Sequence, residues 1–338
     1  MRWDNLQLIP DRPDNALITR GAVVRTIDTP EFRGVTFYEI QARSIVNRVP
    51  GPSRVPFEWT LNPYRGCTHA CVYCFARNTH TYLDLDAGHD FDTKIVVKTN
   101  AADLLRRELA GPRWRGEPIA MGTNVDPYQR CEGRYRLMPG IIRVLTEFAN
   151  PFSILTKGTL ILRDLDLLAE AAARTRVSTA MSIGTTHPAA WRATEPGTPG
   201  PRARLGAVAA LNEAGVPCSV LMAPILPYLT DSPAQLEATV KEIAEAGATG
   251  LSPLVLHLRT GAREWWLQWL EREHPRLVPR YRELYGRGAY APKAYQQRIT
   301  AQVAELARRH GIRERATRPQ PVPPARAPEP EQLDLFGG

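Results

Sequence analysis

Three of the five cysteines in this 338-residue chain lie close together, at Cys67, Cys71 and Cys74. Their C-x3-C-x2-C spacing puts three thiols on one segment, and such a set can bind zinc or an iron–sulfur cluster. A structural zinc site takes four protein ligands, and here the fourth would have to be His69 or His80. A [4Fe–4S] cluster takes one ligand per iron, so three cysteines leave one iron open for a reactant. The spacing therefore favours an iron–sulfur site over zinc.

The composition favours a cytoplasmic protein with reduced thiols. Five cysteines, an odd number with three clustered, are not typical of a disulfide framework. No apolar run reaches about 18 residues, the length that crosses a membrane, so no membrane span is expected. The first residues, MRWDNLQLIPDRPDN, lack the apolar core of a secretory signal.

The positive charge is concentrated late in the chain. The formal net charge is +8, and residues 259–315 contain 13 Lys/Arg against 6 Asp/Glu, a net of +7. A basic segment attracts polyanions, above all nucleic acid. The alternative is a solvated, Arg-rich helical surface, and composition does not separate the two.

Alternating β-type and helical patterns must position the cysteines. Six β-type runs are predicted at 57–62, 118–122, 152–157, 176–183, 217–224 and 249–256, with helical patterns such as 162–174, 201–215 and 232–247 between them. The alternation predicts a mixed α/β fold with a parallel sheet, and six strands suit an open, partial (β/α)6 barrel. Chemistry in such folds gathers at the carboxyl ends of the strands, and the cysteines directly follow the first strand.

The chain divides into four expected segments. They are an N-terminal extension (1–55), the partial barrel (56–257), a basic helical region (258–315) and a Pro-rich, disordered tail (316–338). Three tryptophans in the helical region, Trp265, Trp266 and Trp269, either stack on bases or pack the helices against the barrel. Their helical spacing favours packing for Trp266 and Trp269.

The cysteine segment resembles the radical S-adenosylmethionine (SAM) superfamily, whose hallmark is this cysteine spacing. The resemblance implies that the open iron of a [4Fe–4S] cluster binds the amine and carboxylate of SAM. It also implies that an external donor supplies the electron that releases a 5′-deoxyadenosyl radical. The aromatic residue before the last cysteine, here Tyr73, would flank the adenine.

Three further segments resemble the spore photoproduct lyase-like branch of that superfamily. They are NVDPYQRCEGRYRLMPGII, LTKGTLILRDLDLL and EPGTPGPRARLGAVAALNEAGVPCSVLMAPILPYLTD, and they follow the cysteines in the branch's order. The resemblance implies that Lys157 reaches the cofactor carboxylate and that Ser182 bonds its polar groups. Ala223 would offer backbone atoms near the adenine.

The candidate catalytic residues lie beyond the second predicted strand. Asp126, Tyr128 and Glu132 would contact ribose or substrate, or would order the loop, and Glu195 has the same two readings. Spore photoproduct lyases return hydrogen to the substrate radical with a cysteine just ahead of the position of Asp126, where this chain reads MGTNVD. Cys131 is the candidate substitute.

The fifth cysteine, Cys218, is expected to be a small buried hydrophobe rather than a catalytic thiol. It falls within the fifth predicted strand and could face either the lumen or the helices.

The last residues carry a separate motif. QLDLF resembles the bacterial sliding-clamp-binding pentapeptide Q-L-x-L-F, with Gln332, Leu333, Leu335 and Phe336 at its defined positions. A Pro-rich tether that presents apolar side chains suits a hydrophobic groove on a partner. The alternative is a tail that folds back onto the body.

These features give three functional hypotheses. The first is a radical SAM enzyme that repairs or modifies a DNA base and is recruited by the sliding clamp. The second keeps the enzyme but changes the substrate to RNA, a protein or a small molecule. The third is a non-catalytic nucleic-acid-binding module that carries zinc or a cluster.

Overall fold

A computed structural model describes residues 22–27, 29–49 and 55–312 of the chain. The segment from Gln332 to Phe336, which is predicted to bind a sliding clamp, lies outside these residues. Among the described helices, none combines the length and the apolar character that crossing a membrane requires.

Eleven strands and eleven α-helices form within the described residues. The strands are β1 Val23–Thr26, β2 Thr36–Ile40, β3 Val46–Arg48, β4 Trp59–Leu61, β5 Tyr64–Arg65, β6 Lys94–Lys98, β7 Ile119–Met121, β8 Phe152–Thr156, β9 Val177–Ser182, β10 Cys218–Ile225 and β11 Leu251–Val255. The helices are α1 His89–Thr93, α2 Ala101–Leu109, α3 Glu132–Tyr135, α4 Leu137–Glu147, α5 Leu165–Arg174, α6 Pro188–Thr194, α7 Pro201–Glu213, α8 Pro233–Glu245, α9 Ala262–Glu273, α10 Val278–Tyr285 and α11 Lys293–Arg309.

The main sheet confirms the predicted partial barrel. Its order is β11-β10-β9-β8-β7-β4-β3, and all neighbours from β4 to β11 pair in parallel. These six strands are the six that the sequence predicts. β3 is an additional antiparallel edge strand, which pairs with β4. Because the six strands are parallel, their carboxyl ends meet at one edge of the sheet, as the active-site prediction requires.

A second, four-stranded sheet was not expected from the sequence. Its order is β1-β2-β6-β5, with β2 parallel to β6. The N-terminal segment therefore contributes two strands to this sheet. β6 was missed because its sequence, KIVVK, has only three apolar residues between lysines. β5 ends two residues before Cys67, and the Cys67 N–H donates to Phe91 O at 3.0 Å. The second sheet thus positions the start of the cysteine segment.

The C-terminal helices pack through their tryptophans. Trp265 and Trp266 are completely buried and Trp269 is 1% exposed. The Trp266 ring lies 5.6 Å from Tyr281 of α10, measured between ring centroids. The alternative in which these tryptophans stack on bases is therefore wrong, because their faces are already covered by protein.

Replacing Trp266 with alanine should remove a large part of this packing. The expected loss is about 3–5 kcal/mol in the free energy of unfolding, since a buried tryptophan leaves a cavity when it is truncated. Urea titration followed by circular dichroism measures it. Tyr82→Ala is the control, because Tyr82 is 74% exposed and its loss should cost under about 0.5 kcal/mol. Equal losses in both variants would contradict the packing role.

Candidate active site

The three clustered cysteines lie on one buried loop between β5 and a 3-10 segment, Phe75–Leu83. Cys67 and Cys71 are each 7% exposed and Cys74 is half-buried, and none of them forms a disulfide. Burial raises the pKa of all three thiols. Thiolates at this place therefore require a positive partner, which iron supplies when it binds.

The donor set suits a cluster in which each of the three thiolates binds a different iron. In residues 22–27, 29–49 and 55–312, no three His, Cys, Asp or Glu side chains are grouped to hold a metal ion. The thiolates of a [4Fe–4S] site bind different irons, so they need not converge on one point. The fit to a cluster rests on the chemistry of the three thiols and on their shared loop. One nitrogen of each nearby histidine ring is engaged by the protein: His69 Nδ1 faces Asp126, and His80 Nε2 bonds Lys94 O. A histidine held through one nitrogen can still bind a metal through the other, so the chemistry of the thiols, rather than these contacts, favours a cluster over zinc.

Two neighbouring loops fix the backbone of the cysteine loop. Gln129 accepts a hydrogen bond from the Thr68 N–H at 2.8 Å and donates to Gly66 O at 3.0 Å. Gly197 donates its N–H to His69 O at 3.0 Å. A Cβ at Gly197 would lie 2.3 Å from Thr68 O, so this close approach requires glycine. No role was predicted for Gln129 or Gly197, although both lie in the quoted motifs.

Arg77 fixes the same loop from the other side. Its completely buried guanidinium donates to Cys71 O at 2.9 Å and to both carboxylate oxygens of Asp92 at 3.0 Å. Its carbon centre lies 4.7 Å from the ring centroid of Trp265. Arg77 was also missed by sequence reasoning, because Asp92 and Trp265 are distant in sequence.

The four residues predicted to contact the cofactor come together. Lys157 Nζ donates to Ser182 Oγ at 2.6 Å and lies 3.5 Å from Ala223 O, and it faces the Tyr73 ring at 5.6 Å. Ser182 Oγ donates to Ala223 O at 3.1 Å. The four residues come from four parts of the chain: Tyr73 from the cysteine loop, Lys157 from the end of β8, Ser182 from the end of β9 and Ala223 from β10. This convergence at the carboxyl ends of the strands makes a single cationic site beside the cysteines.

Glu195 provides the counter-charge of that site. Its carboxylate lies 3.4 Å from Lys157 Nζ and 2.5 Å from Arg204 Nη2, and it accepts a hydrogen bond from the Tyr73 hydroxyl. Burial acts to raise the pKa of the Glu195 carboxyl, but the charges of Arg204 and Lys157 outweigh it and lower the pKa to about 2. Glu195 is therefore ionised throughout the physiological range. Arg204 also donates to Ser182 O at 2.7 Å, so it links this carboxylate to β9.

Asp126 is fully engaged by the protein. Oδ1 accepts from Thr156 Oγ1 at 2.5 Å and from the Tyr128 N–H at 2.9 Å, and Oδ2 accepts from the Lys157 N–H at 2.6 Å. His69 Nδ1 lies 3.3 Å from Oδ2. Burial would raise the pKa of Asp126, but His69 and these hydrogen bonds lower it overall. This geometry favours the loop-ordering reading of Asp126, which joins the cysteine loop to the end of β8.

Tyr128 and Glu132 lie in a buried polar network beneath the site. Tyr128 is 1% exposed and its hydroxyl donates to Asp164 Oδ2 at 3.1 Å. Glu132 is completely buried and forms an ion pair with Arg163 Nη2 at 2.6 Å. It also accepts a hydrogen bond from the Met138 N–H at 3.1 Å. For these two side chains as well, the structure favours the ordering role over contact with substrate.

The remaining cysteines are both completely buried. Cys131 packs in an apolar cluster with Phe37, Tyr64 and Cys67 between the second sheet and the loop after β7. A substrate would have to enter that cluster to reach its sulfur, so the placement weighs against a role as hydrogen donor. Cys218 begins β10, at the end of the sheet opposite the site, and its expected burial is confirmed.

The family model for the radical SAM superfamily matches residues 61–243, which include the cysteine loop and all four converging residues. The chain belongs to the radical SAM superfamily. It is therefore a radical SAM enzyme, and its cofactors are a [4Fe–4S] cluster and SAM. Members of this superfamily also depend on an electron donor.

Curated relatives of this radical SAM enzyme extend along most of the chain. An uncharacterized protein of Mycobacterium tuberculosis (strain ATCC 25618 / H37Rv) is 50% identical over 327 residues, which is 96% of this chain and 95% of the relative. An uncharacterized protein of Methanocaldococcus jannaschii is 28% identical over 198 residues, covering 58% of this chain and 70% of the relative.

The solved structures of spore photoproduct lyase share the fold. The lyase complexed with dinucleoside spore photoproduct superposes with a TM-score of 0.64 at 14% identity, covering 89% of this chain and 85% of the lyase. A mutant of that lyase with bound AdoMet and dinucleoside spore photoproduct gives a TM-score of 0.61 at 14% identity, over 81% of this chain and 79% of the lyase. The predicted lyase-like fold is thereby confirmed.

Removing the Lys157 ammonium should weaken SAM binding. Lys157→Met is expected to raise the dissociation constant about 10- to 100-fold, since a hydrogen bond to a charged group contributes about 1.5–3 kcal/mol. Calorimetric titration of SAM into the anaerobic, cluster-loaded protein measures it. Lys241→Met, at a surface lysine 61% exposed on α8, is the matched control. An unchanged affinity in Lys157→Met would exclude the proposed contact.

Replacing one loop cysteine should abolish cluster assembly. Cys71→Ala is expected to lose the iron–sulfur absorption after anaerobic reconstitution, because one iron then lacks its protein ligand. Cys218→Ala removes an equally buried thiol at the far end of the sheet and should retain full iron content. Normal iron content in Cys71→Ala would show that this thiol is not a ligand.

Proposed function

We propose that Cys67, Cys71 and Cys74 hold the cluster and that the Lys157 site binds SAM beside it. When bound and reduced, the cluster would supply the one electron that cleaves SAM into methionine and a 5′-deoxyadenosyl radical. The observation that carries this assignment is the convergence of Lys157, Ser182, Ala223 and Tyr73 next to the cysteine loop.

In this proposal each side chain of the site has a defined task toward SAM. The Lys157 ammonium pairs with the SAM carboxylate, and Ser182 Oγ bonds the polar groups of the cofactor. The Tyr73 ring packs against the adenine, where backbone atoms of Ala223 also lie. Glu195 pairs with both Lys157 and Arg204, so its single negative charge is shared and the Lys157 ammonium can still attract an anion.

We further propose that the substrate is a base in DNA, which the enzyme repairs or modifies in the cytoplasm. Two observations support this choice. The segment from 259 to 315 carries a net charge of +7. A solved protein of the same fold is complexed with a dinucleoside photoproduct. RNA, protein and small-molecule substrates are the alternatives, and the buried Cys131 gives no support for hydrogen return by the lyase's route.

The tail motif supplies a third support for DNA. Gln332, Leu333, Leu335 and Phe336 would occupy a groove of the sliding clamp, joined to the enzyme by the Pro-rich segment. Such a tether raises the local concentration of the enzyme at DNA that is being copied or repaired.

Anaerobic reduction of the cluster-loaded protein in the presence of SAM tests the enzymatic half of the proposal. The expected product is 5′-deoxyadenosine, detected by mass spectrometry. DNA that carries damaged or modified bases should raise the yield of this product above the yield that the protein gives without DNA. RNA and a peptide library are the parallel substrates. Stimulation by one of those and not by DNA would overturn the choice of substrate.

Binding of the full chain to a purified bacterial sliding clamp tests the tail. The double variant Leu335→Ala/Phe336→Ala should lose binding in surface plasmon resonance, because these side chains fill the apolar groove. Asp334→Ala is the matched control, since Asp334 stands at the variable position of Q-L-x-L-F. Binding that survives the double variant would remove the clamp from the proposal.

A further inference from the structure

A group of exposed aromatic and cationic side chains lies at the mouth of the barrel, outside the SAM site. It consists of Phe75, Arg259 and Tyr290, which we call the rim triad. Phe75 directly follows Cys74, Arg259 follows the carboxyl end of β11, and Tyr290 lies in the loop between α10 and α11. Three parts of the chain that are distant in sequence thus meet beside the cysteine loop.

Direct contacts hold the rim triad together. The guanidinium carbon of Arg259 lies 5.7 Å from the centroid of the Phe75 ring, and Arg259 Nη2 donates to the Tyr290 hydroxyl at 3.3 Å. The Tyr290 ring meets the His257 ring edge-on, with centroids 4.5 Å apart. The arrangement is therefore fixed before any ligand binds.

The loop that carries Tyr290 is itself fixed to the barrel. Leu258 donates its N–H to Ala289 O at 2.8 Å, and Arg263 Nη1 donates to Gly288 O at 2.7 Å. Holding this loop in place removes part of the ordering cost that a flexible aromatic side chain incurs when it binds.

The exposure of the rim triad has no explanation in the packing of the fold. Phe75 is 45% exposed and Tyr290 is 42% exposed, whereas the neighbouring tryptophans are buried. Arg259 is also exposed, and in the described part of the chain it has no carboxylate partner. Four other arginines of the basic region are paired with glutamates: Arg272, Arg282, Arg308 and Arg309. Arg259 thus keeps its charge available to an external anion.

We infer that the rim triad binds an unpaired nucleic-acid strand, with Phe75 and Tyr290 stacking on bases and Arg259 contacting the phosphate between them. Aromatic rings beside a guanidinium that has no carboxylate partner are features that bind single strands without sequence preference. This inference rests on the proposed action on DNA, and it adds to that proposal the place on the protein where the substrate strand binds. A base stacked on Phe75 would be placed one residue from a cluster cysteine.

Fluorescence anisotropy with a labelled, mixed-sequence single-stranded oligodeoxynucleotide tests the inference on the cluster-loaded full chain. Phe75→Leu and Tyr290→Leu should each weaken binding about tenfold through lost stacking, and Tyr290→Phe should stay close to wild type. Arg259→Gln should weaken binding and lower the salt slope by about one. Iron content and melting temperature, measured on every variant, identify any that fails to fold.

Matched controls come from the opposite end of the barrel. Phe148→Leu removes a phenyl ring that is 36% exposed at the end of α4, and Arg143→Gln removes a charge from the same helix. Both should bind the oligonucleotide as wild type does. If these two control variants weaken binding as much as the rim variants do, then any loss of an exposed ring or charge lowers the affinity, and the inference is wrong.

The outcomes separate this inference from the proposal on which it rests. If wild type binds and the rim variants bind equally well, the rim triad is not the strand site, while action on DNA stands. If wild type does not bind DNA, the choice of substrate fails first. If the rim variants bind DNA normally but accept electrons more slowly from reduced flavodoxin, the rim docks a redox protein and the inference is overturned.

Discussion

The site depends on the ion pairs of the buried Glu195 carboxylate with Lys157 and Arg204. Glu195 also accepts a hydrogen bond from the Tyr73 hydroxyl, so it connects the cysteine loop, the end of β8 and α7. Without Glu195, the buried charges of Lys157 and Arg204 would have a large and uncompensated desolvation cost. Without the two cations, burial would raise the pKa of the Glu195 carboxyl, so it would be protonated more easily. The three charged groups leave a net positive charge. That excess suits the carboxylate of a cofactor next to a buried set of thiols.

The cysteine loop is held both by apolar packing and by hydrogen bonds, since Ala70 and Val72 are completely buried in the main core. Gln129 and Gly197 bond its backbone from the loops that follow β7 and α6, and Arg77, in the 3-10 segment after the cysteines, donates to Cys71 O. Asp92 of α1 and Trp265 of α9 contact the Arg77 guanidinium in turn, so elements outside the six parallel strands help to fix this loop.

The sequence predicted those parts in which one local pattern determines the result. The six parallel strands follow from alternating periodicity. The motifs pointed to Lys157, Ser182 and Ala223, which the structure brings together, while their contact with SAM stays a prediction. It did not predict the pairing of Arg77 with Asp92 or of Glu195 with Arg204, because a charged residue does not reveal its partner before the chain folds. KIVVK was missed because three apolar residues are a weak strand signal. For Asp126 the sequence left a catalytic and a loop-ordering role open, and its burial and four contacts within the protein favour the loop-ordering role.

The central claim is that three thiolates of this loop hold a cubane whose fourth iron binds SAM. Mössbauer spectroscopy of protein reconstituted with isotopically enriched iron tests it most directly, with and without SAM. The account predicts that SAM changes the signal of one iron in four, because one iron lacks a protein ligand. A protein that takes up stoichiometric zinc in place of iron, or four irons that SAM leaves unchanged, would contradict it.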